Sequence, residues 1–318
     1  MYTKYHSPER PAVEIVEVSA RDGLQNEKGV FATQQKIALI ERMVASGARR
    51  LEVASFVRPD RVPQMADAEA VIAGLDLPDT VTTIGLVMNK AGLFRALETR
   101  ITEIGAVCVA TDSFAQKNQG QTSLQSAEMA RDIAVLAKSE GRRAQVTIGA
   151  AFGCPFEGAV DPDHVVRMAL MLAEAGPIEL AIADTIGVAV PAQVFQLVSR
   201  LRHELPDIPV RVHLHNTRNT GIANAWAAVQ AGATSLDSCV GGIGGCPFAP
   251  KATGNIATED LVYLLERSGV PIGYQLSSVI ETSHWLADQM GRELPALVSR
   301  AGPFPPEQAA IKTMESGA

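Results

Sequence analysis

The segment V-R-V-H-L-H-N, at Val210–Asn216, carries the clearest structural signal in the sequence. Its apolar and polar residues alternate with a period of two, which is typical of a β-strand. His213 and His215 lie two positions apart, so both imidazoles leave this strand on the same side. Two adjacent imidazoles at a strand end can bind a divalent metal ion, although either could instead be an ordinary core histidine.

Segments with strand periodicity alternate with helical segments on both sides of this stretch. About eight such units are present, the pattern of a (β/α)8 TIM barrel in the α/β class, with an open doubly wound sheet as the alternative. The barrel is favoured because no G-x-G-x-x-G motif opens the first helix and polar or glycine-rich segments follow nearly every strand. We predict a single domain over 1–318, with the barrel at about 12–270 and additional C-terminal helices covering one end at about 271–318.

Composition excludes several classes of protein. The chain has 318 residues, 47% of them hydrophobic, and a formal net charge of −7, with no basic run or basic-aromatic patch for nucleic acid. None of the four cysteines has C-x-x-C spacing, which argues against a zinc or redox pair. Because the first residues lack an apolar signal-peptide core and no run of about 18 apolar residues occurs, we expect no membrane span and a cytoplasmic location.

In a TIM barrel, the active site lies at the C-terminal ends of the strands. Polar residues that follow or end the predicted strands are therefore the candidates for chemistry. They are Arg21, Asp22, Glu52, Asp184, His213, His215, Cys246 and Asn255.

The sequence predicts a mixed oxygen and nitrogen metal site at this rim. Asp22 offers a carboxylate and Asn255 a neutral amide oxygen, which with the two imidazoles make four ligands. Such a set leaves room for substrate or water and suits Mg²⁺ or Mn²⁺ better than a closed structural zinc. Asp22 alone could equally be a turn residue before Gly23.

Arg21 and the acidic residues have roles beside this site in our interpretation. A guanidinium at Arg21 could stabilise an enolate or carboxylate oxygen, or could form an exposed salt bridge. Glu52 and Asp184 could orient Arg21, a histidine or a bound water, or could form a structural ion pair. The run G-G-I-G-G-C-P-F-A at 241–249 places the Cys246 thiol on a glycine-rich loop, as in a mobile lid or a phosphate-binding loop.

Six segments together resemble the 3-hydroxy-3-methylglutaryl-CoA lyase family, in the right order over about 12–270. Any one of them is shared with the isopropylmalate and homocitrate synthases, and the cysteine loop indicates the lyase branch. The segments are R-D-G-L-Q-N-E-K (21–28), E-V-A-S-F-V with P-Q-M (52–65), G-C-P-F-E-G (153–158), D-T-I-G-V (184–188), H-L-H-N-T (213–217) and G-G-I-G-G-C-P-F-A with G-N-I-A-T-E-D-L-V (241–262).

The resemblance implies a divalent metal, Mg²⁺ or Mn²⁺, an acyl-CoA substrate and a homodimer. It implies that Arg21 stabilises the enolate of the departing acetyl thioester, and that Cys246 takes part in proton transfer with His213 and Asp184 nearby. The implied metal ligands are the four residues named above. Three further matched residues are expected to line or brace the site: Gln25, Glu52 and Glu259.

The sequence departs from the family at two positions. Asn216 replaces the acid that usually follows H-x-H, which removes a negative charge beside the expected metal. Asp112 stands where the family usually has Glu, in the predicted loop 111–122 near the expected substrate site. The predicted reaction is retro-Claisen cleavage of 3-hydroxy-3-methylglutaryl-CoA or a close analogue. The alternatives are a condensing synthase, a CoA-independent aldolase and a metal-binding barrel without catalysis.

Overall fold

The computed structural model describes residues 11–245 and 254–305. Within these residues, eight parallel strands close into a barrel that is surrounded by helices. The strands follow one another around the barrel in chain order, and the first strand pairs with both the second and the last. The predicted (β/α)8 TIM barrel is therefore confirmed.

The described residues contain ten strands, of which two form a separate antiparallel hairpin and eight build the barrel. In chain order they are β1 (Glu14–Glu17), β2 (Arg50–Ser55), β3 (Thr82–Val87), β4 (Glu103–Val109), β5 (Arg143–Gly149), β6 (Gly153–Cys154), β7 (Gly158–Ala159), β8 (Leu180–Asp184), β9 (Val210–Leu214) and β10 (Ser235–Ser238). The hairpin is β6–β7. All six residues of β2 are buried, as expected for a parallel strand that is covered on both faces.

Eleven α-helices occur in the same described ranges, most of them after a barrel strand. They are α1 (Thr33–Ala45), α2 (Ala68–Gly74), α3 (Lys90–Leu97), α4 (Asp112–Gln119), α5 (Ser123–Ser139), α6 (Pro162–Ala173), α7 (Pro191–Glu204), α8 (Gly221–Gln230), α9 (Thr258–Arg267), α10 (Leu276–Met290) and α11 (Val298–Ala301). Helix α7 shows why they form: Pro191 occupies the first turn, and Val194, Leu197 and Leu201 bury one stripe against the barrel.

The barrel interior is unusually polar for this fold, whose interior is normally filled by branched apolar side chains. Arg50, Glu103, Glu179 and Arg211 are all buried. They pair with one another through Arg50 Nη2 to Glu103 Oε1 at 2.5 Å, Arg50 Nη2 to Glu179 Oε2 at 2.9 Å and Arg211 Nη1 to Glu179 Oε2 at 3.6 Å. The apolar core lies outside this layer, between the strands and the helices.

The predicted loop over 111–122 is wrong, because it contains α4. This helix buries Phe114 and Ala115 and exposes the polar residues that made the segment resemble a loop. Asp112 begins the helix, and its Oδ1 accepts a hydrogen bond from the backbone N–H of Ser123 at 2.8 Å. The Asp112 side chain is therefore directed at the start of α5.

The C-terminal extension runs along the outside of the barrel. Gln275 donates its backbone N–H to Ser46 at the end of α1, and α10 then packs against α1 and α9. Beyond α10, Arg292 pairs with Glu27 in the loop after β1 at 2.7 Å, and Ala296 donates its N–H to Gly241 at 3.2 Å. The extension thus reaches the C-terminal rim of the barrel, where it supports two loops.

Candidate active site

Three of the predicted metal ligands converge at the C-terminal rim of the barrel. Asp22 lies in a π-helical turn at Ser19–Gly23 that directly follows β1, whereas His213 and His215 lie in and just after β9. Asp22 Oδ2 is 3.9 Å from Nε2 of each imidazole. One donor atom from each of the three residues lies within 4.8 Å of the other two, which is close enough for a shared ion.

Asn255 completes this set because its backbone is held beside His215 by a β-bridge. Its Nδ2 donates to Asp22 Oδ2 at 2.8 Å and to the carbonyl of Ile243 at 3.1 Å. Its Oδ1 is buried and has no hydrogen-bond partner. An unsatisfied buried oxygen beside a carboxylate and two imidazoles fits a divalent cation that takes mixed oxygen and nitrogen ligands.

Gly244 allows the glycine loop to pass close to these ligands. Its φ of +98° lies in the left-handed region, which side chains disfavour. A Cβ atom on this residue would lie 2.6 Å from Asn255 Nδ2 and 2.9 Å from the carbonyl oxygen of Asp22. The absence of a side chain at this position is therefore part of the site's geometry.

The pKa values of Asp22 and His215 are shifted toward the forms that can bind a metal, whereas that of His213 is shifted toward the protonated form. Burial raises the pKa of Asp22, but Arg21 and the two imidazoles outweigh burial and hold that pKa well below its ordinary value. Burial and the neighbouring His213 lower the pKa of His215 to about 4, so this imidazole is neutral near pH 7 and can offer a lone pair. Burial lowers the pKa of His213, but Asp237 and Asp22 outweigh it, and the pKa is raised overall.

Arg21 is fixed beside the metal ligands by two carboxylates. Its Nε donates to Glu52 Oε1 in a very short contact, and its Nη1 lies 2.6 Å from Asp22 Oδ1. Glu52 is buried, and Arg21 lines a cavity of about 170 Å³ in the barrel mouth. This geometry rules out the exposed salt bridge and supports the prediction that Glu52 orients Arg21.

The cavity is lined by both polar and apolar residues. Its polar lining includes Arg21, Asp22, the two histidines and Gln25, whose Oε1 is buried without a partner. Its apolar lining includes Leu86, Met88, Val107, Val109 and Phe114. A groove of about 760 Å³ adjoins the cavity and shares Gln25, Asn26, Met88 and Asn118 with it.

The groove is basic. Arg58, Arg61 and Lys117 line it, and no carboxylate is among the described residues that form its lining. Arg58 is exposed and pairs with Asp60 at 2.7 Å, and Lys117 lies 4.3 Å from the ring centre of Phe156. The groove can therefore accept an anionic group whose reactive end enters the cavity.

Two predicted acidic residues hold loops at this rim. The two carboxylate oxygens of Asp184 each accept a backbone N–H, from Val188 and Ala189, both at 2.9 Å. Glu259 Oε2 accepts the N–H of Gly241 at 3.0 Å and so braces the glycine loop. Burial raises the pKa of both carboxyl groups.

The side chains at the two positions that depart from the family make local hydrogen bonds. Asn216 Oδ1 accepts the N–H of Gly221, the first residue of α8, at 3.0 Å. The role of Asp112 beside the substrate site stays a prediction: its carboxylate accepts the N–H of Ser123 at the start of α5, and the α4 residues that line the cavity are Phe114 and Asn118. Cys246 lies outside the described residues.

Sequence reasoning missed Asp237 and Arg211. Asp237 Oδ2 lies 3.0 Å from His213 Nδ1, and Arg211 Nε lies 3.2 Å from Asp237 Oδ1. Both residues line the cavity and are almost fully buried. A charged residue inside each of two otherwise buried strands, β9 and β10, was a signal that could have found them.

No helix in the described ranges is long and apolar enough to span a membrane.

The chain is similar in sequence to known CoA lyases. The HMGL-like family model matches residues 12–286. The chain is 44% identical to an (R)-citramalyl-CoA lyase of Chloroflexus aurantiacus, over 93% of this chain and 96% of that protein. It is 37% identical to the hydroxymethylglutaryl-CoA lyase YngG of Bacillus subtilis, over 89% of this chain and 95% of that protein.

Solved structures agree with these sequence matches. The crystal structure of the Bacillus subtilis HMG-CoA lyase has a TM-score of 0.89 and 36% identity, covering 93% of this chain and 99% of that one. An HMG-CoA lyase from Acinetobacter baumannii, solved with coenzyme A and 3-methylmalate, has a TM-score of 0.89 and 35% identity, covering 94% and 97%. The family model, the related sequences and the solved structures agree over nearly the whole chain. The chain therefore belongs to the HMGL-like family and is a carbon–carbon lyase.

Proposed function

We propose that the chain catalyses metal-dependent retro-Claisen cleavage of the CoA thioester of a 3-hydroxy-3-methyl dicarboxylic acid. The observation that carries this proposal is the cluster of Asp22, His213 and His215 with Arg21 held against it inside the barrel mouth. A cationic donor beside a metal cluster is suited to a reaction that develops negative charge on an oxygen.

The proposed cofactor is Mg²⁺ or Mn²⁺, held by Asp22, His213, His215 and Asn255. When bound, such an ion lowers the pKa of a substrate hydroxyl and polarises the oxygens that contact it. The neutral state of His215 and the ionised state of Asp22 are those that ligands require.

Arg21 performs the charge-stabilising part of the proposed mechanism. Loss of the hydroxyl proton allows the bond between C2 and C3 to break, so that C3 becomes a carbonyl carbon and the electron pair passes to the acetyl thioester as an enolate. The guanidinium, held by Glu52 and Asp22, donates to the enolate oxygen, and a proton then adds to the carbon. Proton transfer by Cys246 stays a prediction.

The basic groove supports CoA as the carrier of the acyl group. The phosphates of CoA are anionic, and Arg58, Arg61 and Lys117 supply cations beside the entrance of the cavity. The double variant Arg61→Gln, Lys117→Gln should show a larger rise in KM for the thioester than fall in kcat. The exposed Arg200, paired with Asp163, gives a control in Arg200→Gln that should leave KM unchanged.

Two acyl groups compete for this site. The sequence motifs indicate 3-hydroxy-3-methylglutaryl-CoA, which would give acetyl-CoA and acetoacetate. The 44% identity to a citramalyl-CoA lyase favours citramalyl-CoA as a second candidate, which would give acetyl-CoA and pyruvate. In both, a tertiary hydroxyl and a carboxylate could contact polar residues of the cavity lining while the methyl group contacts apolar ones.

The test is a substrate panel with the purified full chain and Mn²⁺ or Mg²⁺. We expect acetyl-CoA release from at least one of the two thioesters, and the oxo acid formed identifies the substrate. Asp22→Asn is the inactive control, because it removes the carboxylate between the imidazoles. No acetyl-CoA from either thioester, or release unaffected by a chelator, would overturn the proposal.

Two further assays decide between this reaction and its alternatives. Release of free CoA from acetyl-CoA with 2-oxo acids would indicate a condensing synthase. Cleavage of the hydroxy acid without its CoA group would indicate an aldolase. The homodimer and the cytoplasmic location stay predictions, and light scattering of the purified chain measures the oligomeric state.

A further inference from the structure

A row of buried charged side chains leads from His213 into the barrel interior. In order they are His213, Asp237, Arg211, Glu179 and Arg50, which we call the interior ion row. Its first member is a proposed metal ligand, and its last pairs with Glu103 at the start of β4. The metal site thus has a continuous charged support beneath it.

We infer that Asp237 is a positioning residue that fixes the ring orientation and tautomer of His213, and that Arg211 holds Asp237 in place for this role. The inference rests on the proposed metal-dependent function. It assigns a specific task to two buried side chains for which the reaction itself has no direct use.

The two imidazoles of the site differ in their support. Nε2 of each lies 3.9 Å from Asp22 Oδ2, so both present the same atom to the proposed ion. His213 Nδ1 faces Asp237 Oδ2 at 3.0 Å, whereas His215 Nδ1 is buried without a partner. An ionised carboxylate can accept a hydrogen bond but cannot donate one, so the Nδ1 that faces Asp237 must carry the ring proton. In the neutral imidazole, this leaves the lone pair of Nε2 free for the proposed ion.

Arg211 is placed to support Asp237. Its side chain is 2% exposed, and its Nε lies 3.2 Å from Asp237 Oδ1, the oxygen that does not face His213, in an ion pair without a hydrogen bond. A buried carboxylate without a cation would be costly, and one with a mobile partner would rotate. On its other side, Arg211 Nη1 lies 3.6 Å from Glu179 Oε2, which is an ion pair without a hydrogen bond.

The competing interpretation is that Asp237 and Arg211 are only a structural ion pair of the barrel. Glu103 provides the matched comparison, because it is fully buried in the same interior and pairs with Arg50 at 2.5 Å. Glu103 lies at the far end of the interior ion row and does not contact His213. A general disturbance of the interior charges should therefore affect Glu103→Gln and Asp237→Asn alike.

The experiment measures Mn²⁺ binding to the full chain by calorimetric titration, without substrate. We expect Asp237→Asn to weaken Mn²⁺ binding by about 10- to 100-fold, the usual cost of losing such a partner. Asp237→Glu should recover part of the loss, and Glu103→Gln should stay within about twofold of the unaltered chain. Asp237→Asn binding as tightly as the unaltered chain, or Glu103→Gln losing as much, overturns the inference.

A second measurement needs no variant to fold. In the ¹⁵N-labelled, Mg²⁺-saturated chain, the imidazole spectrum should show His213 with its proton on Nδ1, and the proton on Nε2 would overturn the inference. An unaltered chain that binds neither ion overturns the proposed function as well. Binding by the unaltered chain with no effect of Asp237→Asn overturns only the role of Asp237.

Discussion

Replacement of Gly244 with alanine tests whether the glycine loop holds the metal ligands in place. The new Cβ atom would lie 2.6 Å from Asn255 Nδ2, whereas ordinary contacts begin at 3.4 Å. Relief of this contact requires a movement of roughly 0.8 Å in Asn255 or the loop, and a misplacement of about 1 Å can cost on the order of 100-fold in activity. We therefore expect Mn²⁺ affinity and kcat/KM each to fall by about 10- to 100-fold.

Gly141→Ala is the matched control, because Gly141 has a φ of +72° and would place its Cβ in open space. Gly141→Ala should cost roughly 1–2 kcal/mol in the free energy of unfolding, since it forces a side chain into the left-handed region. Gly244→Ala should cost more, because its Cβ would also lie 2.9 Å from backbone atoms of Asp22 and Gly23. Only Gly244→Ala should lose Mn²⁺ affinity in a titration. Unchanged affinity in Gly244→Ala, or an equal loss in Gly141→Ala, would refute this reasoning.

Four further predictions concern the reaction and the stability of the chain. Arg21→Lys should lower kcat by about 10²–10³-fold, because an ammonium cannot reproduce the geometry held by Glu52 and Asp22; a steady-state rate equal to that of the unaltered chain would contradict it. Chelation should abolish activity and lower the Tm, and Mn²⁺ at about 100 times its Kd should restore about 2.7 kcal/mol of stability; a Tm indifferent to Mn²⁺ would count against the site. Cys246→Ser should reduce kcat strongly in the substrate assay while Mn²⁺ affinity is kept, and full activity would remove the thiol from the mechanism. Burial raises the pKa of Glu17 from 4.5 to about 7, so between these pH values the folded chain holds a proton that the unfolded chain has lost, and the free energy of unfolding falls as pH rises through them. Glu17→Gln should flatten that fall, by at most about 1.4 kcal/mol per pH unit measured by urea denaturation. An unchanged pH dependence of the free energy of unfolding would contradict the raised pKa of Glu17.

The sequence predicted the barrel and its metal cluster because both depend on local periodicity and on strand ends. The sequence pattern predicts a strand over 50–55 and a helix over 276–290, and β2 and α10 have these bounds because each carries a regular pattern of buried residues. His213 and His215 were recognisable because alternation fixes their side of the strand. Closure of the barrel then brings Asp22 to them, as the fold requires.

What the sequence could not show depends on contacts between distant residues. Helix α4 was missed because its exposed polar residues outweigh the two buried positions that anchor it. The hydrogen bond from Ser123 to Asp112 could not be predicted, because it joins the start of α4 to the start of α5 and the sequence did not show that α4 forms. Asp237 was missed because its meaning depends on two partners in β9, and only the paired strands bring them together.

The last helices have a consequence for work with shortened chains. Ala296 donates a backbone hydrogen bond to Gly241, and Arg292 forms an ion pair with Glu27. Both loops that flank the predicted metal ligands are therefore supported by residues that follow the barrel in the sequence. A chain truncated after α9 would keep every strand, yet it would lose both of these contacts. An expression screen alone would therefore classify such shortened chains as intact, whereas a turnover assay would show that they are inactive.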